Sequence, residues 1–336
     1  MSLNARFRRR SLLLAAAAPA VAAAAPAQSA PSHEALRARL AIPSPKHQVV
    51  LDTDTYNEID DQYALAYSIL SPEHMEVEAV YAAPFLNSRS KSAGHGMEQS
   101  YEEILRILKM LRRDPGGFAF SGSDRFMKSA KDPVDSPSAR DLIAKAMKPR
   151  EKLLYVLTIG APTNVSSAIL MEPRIKDKIV VVWLGGATHE WPSAREFNLQ
   201  QDIHSSRVLF DSGVPLVQIP TKNVSEHLRT TLPELAHFLK GRSKFCDYLY
   251  EQFVEYYNEH TKNRPQPYTW SKVIWDISAV AWLINPEWVP SKLVPSPVLN
   301  DDLTYSQKPG RHPIRVATNC RRDEIFYDLF QKLLKV

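Results

Sequence analysis

Short runs of apolar, β-branched residues alternate with amphipathic segments along most of the chain. HQVVLD (47–52), KLLYVLTIG (152–160) and DKIVVVWLGG (177–186) are such runs, and MEQSYEEILRILKML (97–111) has apolar residues at helical spacing. A strand that is apolar at nearly every position is buried on both faces, as in parallel sheets covered by helices. The alternation predicts a single α/β domain, with a mostly parallel, Rossmann-like sheet and helices on both faces. The mainly helical stretch from about 231 to 285 predicts a helical insertion.

The beginning of the chain has the composition of an export signal. Four arginines lie within residues 6–10, and an alanine-rich apolar stretch follows and ends in Ala25-Pro26-Ala27. This order predicts a signal peptide over residues 1–27, and Arg9-Arg10 resembles the twin-arginine export pattern. The apolar stretch is shorter than the roughly 20 residues of a membrane-spanning helix. We therefore expect an exported protein, periplasmic or secreted, without a stable membrane anchor.

A Pro- and Ser-rich segment, residues 28–45, then leads into the predicted domain at residues 46–336. The net charge of the whole chain is +5, and residues 1–27 contribute four arginines and no acidic residue, so the remainder carries only +1. A nucleic-acid partner is therefore not predicted. Cys246 and Cys320 lie far apart in the sequence and are expected to be separate buried thiols, although an oxidising compartment would allow them to pair.

The stretch DTDTYNEIDD (52–61) carries five carboxylates in ten residues, directly after the first predicted strand. At an effective dielectric near 20, two like charges ~4 Å apart repel by about 4 kcal/mol. Such a cluster is either spread through solvent as an acidic turn or neutralised by a bound cation. Six to eight carboxylate and carbonyl oxygens at mixed geometry suit Ca²⁺ better than Mg²⁺.

Polar residues also follow two other predicted strands. APTN (161–164) follows the strand at 152–160, EFNLQQD (196–202) comes after the strand at 177–186, and Asp276 begins the helix-like segment within VIWDISAVAWLI (273–284). Ligands of open parallel sheets bind beyond the carboxyl ends of the strands. The alternatives to a ligand site are that residues 196–202 form a surface turn and that Asp276 is a simple helix N-cap.

Together these motifs resemble the inosine–uridine preferring nucleoside hydrolase family. The Asp-x-Asp and Asp-Asp pairs, GAPTNVSSAI, VVVWLGGATHEW with EFNLQQD, and WDISAVAWLI occur in the family's order between about residues 47 and 330. The resemblance implies the nucleoside hydrolase fold and metal-dependent hydrolysis of the N-glycosidic bond of a ribonucleoside or related N-riboside. Ribose and free base would form by attack of a Ca²⁺-bound water. The implied partner is a small-molecule substrate, and self-association into a homo-oligomer is consistent with the family.

The resemblance also implies a set of calcium ligands. Asp54 would be a ligand and the catalytic base that activates the water, with Asp61 and Asp276 as further ligands. The backbone carbonyl of Ile159 would complete the protein's contribution. Asp52 would orient its neighbours from behind the ligands.

Other residues are implied on the substrate side. Asp60 would accept hydrogen bonds from the ribose hydroxyls, and Glu196 and Asn198 would hold the far side of the sugar. Asp276 would contact the substrate as well as the cation.

The sequence departs from the family pattern where the base would bind. The turn TYNEI (55–59) is longer by two residues than the family's Pro-Gly turn. Trp275 stands where many members carry a His, and an indole can stack on a base but cannot protonate it. Within AAPFLNSRS (82–90), Asn87 is the nearest replacement for the family's Asn. Trp275 and Asn87 are therefore predicted to lie on the side of the site that binds the base, and the chemical identity of the aglycone is left open.

Two other functions fit parts of the sequence. VVLDTDT (49–55) also resembles the opening motif of haloacid-dehalogenase-type phosphatases, with Asp52 as nucleophile, Asp54 as acid–base and Mg²⁺ as the ion. The later paired acids of those enzymes are missing from the sequence. The altered base half would also suit an exported nucleoside- or ribose-binding protein without turnover.

Overall fold

The structure is a computed structural model that describes residues 32–42, 46–263 and 269–336. The predicted signal peptide at residues 1–27 lies outside the described residues. Among those that are described, no helix combines the length and hydropathy needed to cross a bilayer.

Twelve strands and eleven α-helices follow in the described residues. The strands are β1 His47–Thr53, β2 Met75–Ala82, β3 Ala119–Phe120, β4 Leu154–Thr158, β5 Ile179–Leu184, β6 Leu216–Ile219, β7 Arg229–Thr230, β8 Lys272–Val273, β9 Ser291–Pro295, β10 Val298–Leu299, β11 Tyr305–Ser306 and β12 Pro313–Ala317. The helices are α1 His33–Arg39, α2 Asp61–Ile69, α3 Ala93–Met110, α4 Pro137–Met147, α5 Thr163–Met171, α6 Phe197–Gln201, α7 Ile203–Asp211, α8 Leu232–Phe238, α9 Lys244–Thr261, α10 Ile277–Ile284 and α11 Arg322–Leu333. Short 3₁₀ turns cover Pro173–Asp177 and Ser225–His227.

Eight strands form one central sheet in the order β3-β2-β1-β4-β5-β6-β12-β9. Every neighbouring pair is parallel except β12 and β9, which are antiparallel. The mostly parallel sheet predicted from the sequence is thus confirmed. The strand order reverses between β1 and β4, and this reversal creates the crevice in which open α/β sheets bind ligands.

Helices cover both faces of the sheet, as the apolar strands predict. Val49 and Leu51 point to one face, where they pack with buried residues of α2, α3 and α8–α11. Val50 points to the other face, together with buried residues of α4, α5 and α7. Alternate side chains of one strand therefore enter two separate cores.

The predicted helical insertion corresponds mainly to α8 and α9, which lie between β7 and β8. Leu249 and Phe253 of α9 are buried in the same core as α2 and α3. Helix α1, within the segment that leads into the domain, is held by Arg315, whose Nε donates to the Leu40 carbonyl at 2.8 Å. Cys246 and Cys320 are both buried and free, so the expectation of separate thiols is confirmed.

The packing predicts a large cost for truncating a central strand. Leu157 of β4 is fully buried, so Leu157→Ala is expected to lower the free energy of unfolding by about 2–5 kcal/mol, through lost burial and a residual cavity. Leu334→Ala is the matched control, since Leu334 is 41% exposed, and it should change stability by no more than about 0.5 kcal/mol. Urea denaturation of both variants measures the difference. Equal effects would contradict the assignment of Leu157 to the core.

Candidate active site

A cavity of about 250 Å³ lies at the carboxyl edge of the sheet, beside the reversal between β1 and β4. Most of the residues predicted from the sequence to form the site line it: Asp54, Asp60, Asp61, Ile159, Glu196, Asn198, Trp275 and Asp276. These residues come from four separate parts of the chain. The sheet therefore brings together side chains whose proximity the sequence could only predict by resemblance.

Two helix N-termini position the carboxylates. Asp60 and Asp61 begin α2, and Asp276 directly precedes α10. Acidic side chains are favoured at such ends by the helix dipole. Within the described residues, neither Asp60 nor Asp276 makes a side-chain hydrogen bond that caps its helix. The alternative of Asp276 as a simple N-cap is thus not what the structure has, and both carboxylates face the cavity instead.

Asp60, Asp61 and Asp276 are buried, and their carboxylate oxygens lie within 4.8 Å of one another. Asp60 Oδ2 accepts the backbone N–H of Trp275 at 3.0 Å, and Thr53 Oγ1 donates to Asp61. Asp54 adds a fourth buried carboxylate, whose Oδ2 has no hydrogen-bond partner in the described part of the chain.

These surroundings disfavour the charged forms of the carboxyl groups. Burial raises the pKa of Asp61 to about 8, with the Asp60 charge adding to the rise. Burial also raises the pKa of Asp54 well above its usual range, followed by the charges of Asp61 and Asp60. The pKa of Asp276 rises in the same way through burial and the same two neighbours. A cation among these groups would favour their ionised forms.

The donor set fits a hard divalent cation. All the side-chain donors are carboxylate oxygens, and Ile159 also lines the cavity. Oxygen-only sites of this kind are typical of Ca²⁺ and Mg²⁺. The unpartnered Oδ2 of Asp54 is a buried acceptor that a cation would satisfy.

Asp52 lies behind the cavity rather than in its wall. Its Oδ1 accepts a hydrogen bond from Asn164 Nδ2 at 2.8 Å, and burial raises its pKa to about 7. Asn164 is held in turn, because its Oδ1 accepts the Ser123 N–H at 2.7 Å. A phosphatase nucleophile would have to reach the substrate, whereas Asp52 is not among the described cavity-lining residues. This placement argues against the phosphatase alternative.

Glu196 and Asn198 join the loop after β5 to the cavity. Glu196 Oε2 accepts the N–H groups of Gly186 and Leu199, and its Oε1 accepts that of Asn198. Asn198 Nδ2 donates to the carbonyls of Ile159 and Leu184, at 3.0 Å each. Asn198 is buried, so this segment is not the solvated surface turn of the alternative reading.

The carboxyl group of Glu196 is buried and accepts hydrogen bonds from three backbone N–H groups. Burial raises its pKa to about 7, although the N–H groups of Gly186, Leu199 and Asn198 act in the opposite direction. Its oxygens are thus largely engaged by the protein while the side chain still lines the cavity.

On the predicted base side, Trp275 lines the cavity but Asn87 does not. Asn87 Nδ2 donates to Asn57 Oδ1 at 2.6 Å, and Asn57 belongs to the cavity wall. The Asn87 side chain therefore contacts a residue of the cavity wall and is not itself part of that wall. The prediction of Asn87 as a direct substrate contact does not match this placement.

Lys272, which is buried on β8, was not predicted from the sequence to belong to the site. Its Nζ donates to Glu58 Oε2 at 2.5 Å and to the Val273 carbonyl at 2.8 Å, and lies 3.8 Å from Asp60 Oδ1. Burial lowers the pKa of Lys272, but Asp60 and Glu58 outweigh burial and raise it. The excess of negative charge at 52–61 was the feature of the sequence that indicated nearby cations such as Lys272.

Comparison with known proteins shows a family to which the sequence is similar. The sequence model described as "Inosine-uridine preferring nucleoside hydrolase" matches residues 49–327. A pyrimidine-specific ribonucleoside hydrolase of Salmonella paratyphi A is 24% identical over 263 residues, which cover 71% of this chain and 80% of the relative. One of Escherichia coli O6:H1 is 23% identical over the same coverage.

Solved structures share the fold at low sequence identity. A plant nucleoside hydrolase superposes with a TM-score of 0.69 at 19% identity, covering 87% of this chain and 100% of that one. A purine-preferring ribonucleoside hydrolase from Gardnerella vaginalis has a TM-score of 0.64 at 20% identity, covering 86% of this chain and 98% of that one.

The raised pKa of Asp61 predicts a pH-dependent stability in the metal-free protein. The folded state keeps a proton up to about pH 8 that the unfolded state releases near its ordinary pKa of 3.8. The stability contributed by this protonated group is complete below about pH 4 and is lost as the pH rises through about 8. In EDTA, the Tm of the wild type should therefore fall relative to that of Asp61→Asn between about pH 5 and pH 8.

Scanning calorimetry at several pH values measures this difference. Asp323→Asn is the control, because its side chain is 88% exposed, and its Tm should follow that of the wild type. Added Ca²⁺ at about pH 8 should raise the Tm of the wild type more than that of Asp61→Asn. Parallel curves for the wild type and Asp61→Asn would contradict the inferred state of Asp61.

Proposed function

The chain belongs to the inosine–uridine preferring nucleoside hydrolase family and is an N-glycosidase, and we propose that it cleaves its N-riboside in a Ca²⁺-dependent reaction. The observation that carries this proposal is the buried group of carboxylates at the carboxyl edge of the sheet. Cleavage of an N-glycosidic bond builds positive charge at the anomeric carbon, in an oxocarbenium-like transition state. Fixed carboxylates around the ribose stabilise that charge.

Asp54, Asp61, Asp276 and the Ile159 carbonyl would hold the cation. Asp60 belongs with Asp61 and Asp276 to the close group of carboxylates, but its Oδ2 accepts the Trp275 N–H and its Oδ1 lies 3.8 Å from Lys272 Nζ. Asp54 instead has an unpartnered buried oxygen, which favours it as a ligand. When bound, Ca²⁺ supplies countercharge for the carboxylates and makes water more acidic.

Side chains of the site would then accept the proton of the attacking water and orient the sugar. Asp54 accepts one proton of the attacking water, whose oxygen bonds to the anomeric carbon, and the base leaves with the electron pair of the broken C–N bond and takes up a proton from solvent. Asp60, Glu196 and Asn198 hold the ribose hydroxyls and so orient the sugar. Direct attack by water implies inversion at the anomeric carbon and no covalent sugar–protein intermediate.

We also propose that the protein works outside the cytoplasm. The support is the basic start, the apolar stretch and the small residues within residues 1–27, all of which lie outside the described part of the chain. Mass determination of the protein purified from its native host tests this directly. A chain beginning near residue 28 supports export, and an intact N-terminus contradicts it.

Loss of the catalytic base gives the first test of the reaction. In a panel of ribonucleosides with Ca²⁺, chromatography should detect free base and ribose from the wild type, and Asp54→Ala should lower kcat by at least about 10²-fold. The exposed Asp323→Ala is the control and should retain wild-type turnover. Circular dichroism of each variant checks that the fold is kept. Tight nucleoside binding by the wild type without release of base would instead indicate a binding protein, and wild-type turnover by Asp54→Ala would remove Asp54 from its role.

Trp275 gives a second prediction, on the base. Trp275 lines the cavity, and a bicyclic purine covers more of an indole than a pyrimidine does. Trp275→Ala should raise KM about tenfold for inosine and less for uridine, whereas Trp275→Phe should retain much of the stacking. Trp191→Ala is the control, because Trp191 lines a different cavity. Steady-state kinetics with both nucleosides measures the effect, and equal increases in KM would contradict stacking.

A further inference from the structure

The extended turn after β1 places a carboxylate in the wall of the cavity. Glu58 lies in that turn, lines the cavity with Asn57 and Trp275, and has a side chain that is 37% exposed. Lys272 Nζ contacts its Oε2 at 2.5 Å, and Tyr256 Oη lies 3.5 Å from its Oε1. The position of this negative charge is therefore determined by neighbouring side chains.

The backbone of the turn is anchored as well. Arg89 Nη1 donates to the Glu58 carbonyl at 3.1 Å, and the Arg89 guanidinium lies 5.8 Å from the ring centres of both Tyr56 and Tyr256. Lys272 also lies 5.6 Å from the centre of the Tyr256 ring. These contacts connect the turn to α9 and β8. Glu58 thus belongs to an ordered wall and is not a loose surface residue.

Glu58 enters the cavity beside Asp60, on the opposite side from Glu196 and Asn198, which are proposed to hold the far side of the sugar. It follows β1, whereas Glu196 and Asn198 follow β5, and β4 lies between these strands in the sheet. Two strand spacings separate the two sides by about 10 Å at the sheet edge. If Glu196 and Asn198 hold the far side of the ribose, Glu58 and Trp275 face the aglycone.

The charge of the leaving group decides which aglycones are favoured by a cavity wall that contains Glu58. A neutral aglycone departs with the bonding electron pair and becomes an anion unless it is protonated. Among the described residues that line the cavity, none is a His, Tyr or Cys, and the two cations there, Arg195 and Lys222, follow β5 and β6 and not the turn that carries Glu58. A carboxylate beside the aglycone destabilises a departing anion, but it stabilises an aglycone that is already cationic.

On this basis, and resting on the proposed hydrolase function, we propose that the cavity selects N-ribosides whose aglycone carries a positive charge before cleavage. N-ribosylpyridinium compounds and N7-alkylated purine ribosides belong to this class. Water adds its oxygen to the anomeric carbon, and the electron pair of the broken C–N bond neutralises the aglycone. The products are ribose, a neutral heterocycle and one proton. Glu58 and Trp275 bind the cationic ring before the bond breaks, through charge and stacking.

The experiment compares charged and neutral versions of one base. With Ca²⁺, kcat/KM is measured for 7-methylguanosine and guanosine, and each value is divided by the rate of spontaneous solvolysis of the same compound. The wild type should give the larger ratio with 7-methylguanosine. Glu58→Gln should lower kcat/KM for 7-methylguanosine about tenfold more than it changes that for guanosine, because only the charged ring loses an attraction. Glu324→Gln, an exposed glutamate outside the cavity lining, should change neither value.

A binding measurement keeps the test independent of turnover. N-methylnicotinamide cation should inhibit competitively at lower concentration than neutral nicotinamide, and Glu58→Gln should remove most of that difference. An equal loss for both guanosine compounds in Glu58→Gln, or an equal affinity for the two nicotinamides, would overturn the proposal while leaving the hydrolase function standing. No release of base from any charged or neutral riboside would overturn the hydrolase function itself.

Discussion

Carboxylates buried beside one another impose the constraint on which the rest of this site depends. Asp54, Asp60, Asp61 and Asp276 are each at most 3% exposed, so little water shields their mutual repulsion. At an effective dielectric near 20, that repulsion is about 4 kcal/mol for a pair ~4 Å apart. Hydrogen bonds and the ammonium of Lys272 stabilise only part of the charge. A divalent cation and a sugar that becomes positive in the transition state would both reduce the repulsion among these carboxylates.

The topology of the sheet explains why this arrangement forms at one place. The strand order reverses between β1 and β4, so the chain leaves these strands in opposite directions and opens a crevice. The turn after β1 and the N-termini of α2 and α10 meet at that crevice. Gly160 allows close packing behind it, because a β-carbon there would lie 3.0 Å from the Asp54 carboxylate.

The sequence predicted the larger elements well, because apolar periodicity is a local property. Strands β1, β4 and β5 lie where the continuous apolar runs indicated, and the parallel sheet with helices on both faces is confirmed. The two-residue strands β7 and β8 were not predicted, since so short a strand has no period. Their pairing nevertheless places Lys272 beside the cavity. Asn87 was predicted by its position after β2, but its contact with Asn57 could not be read from that position.

By itself, the sequence determined the α/β class, the carboxylates at 52–61 and at Asp276, and the family, because apolar patterns and motifs are written within short stretches of chain. Only the tertiary structure decided which charged side chains meet. Glu58 and Lys272 are 214 residues apart and meet because β8 lies against the turn that follows β1. That contact depends on the packing of the whole sheet and its insertion, so the negative charge at 52–61 indicated a nearby cation but not which one. The character of the base side was decided in the same way, by neighbours that only folding brings together.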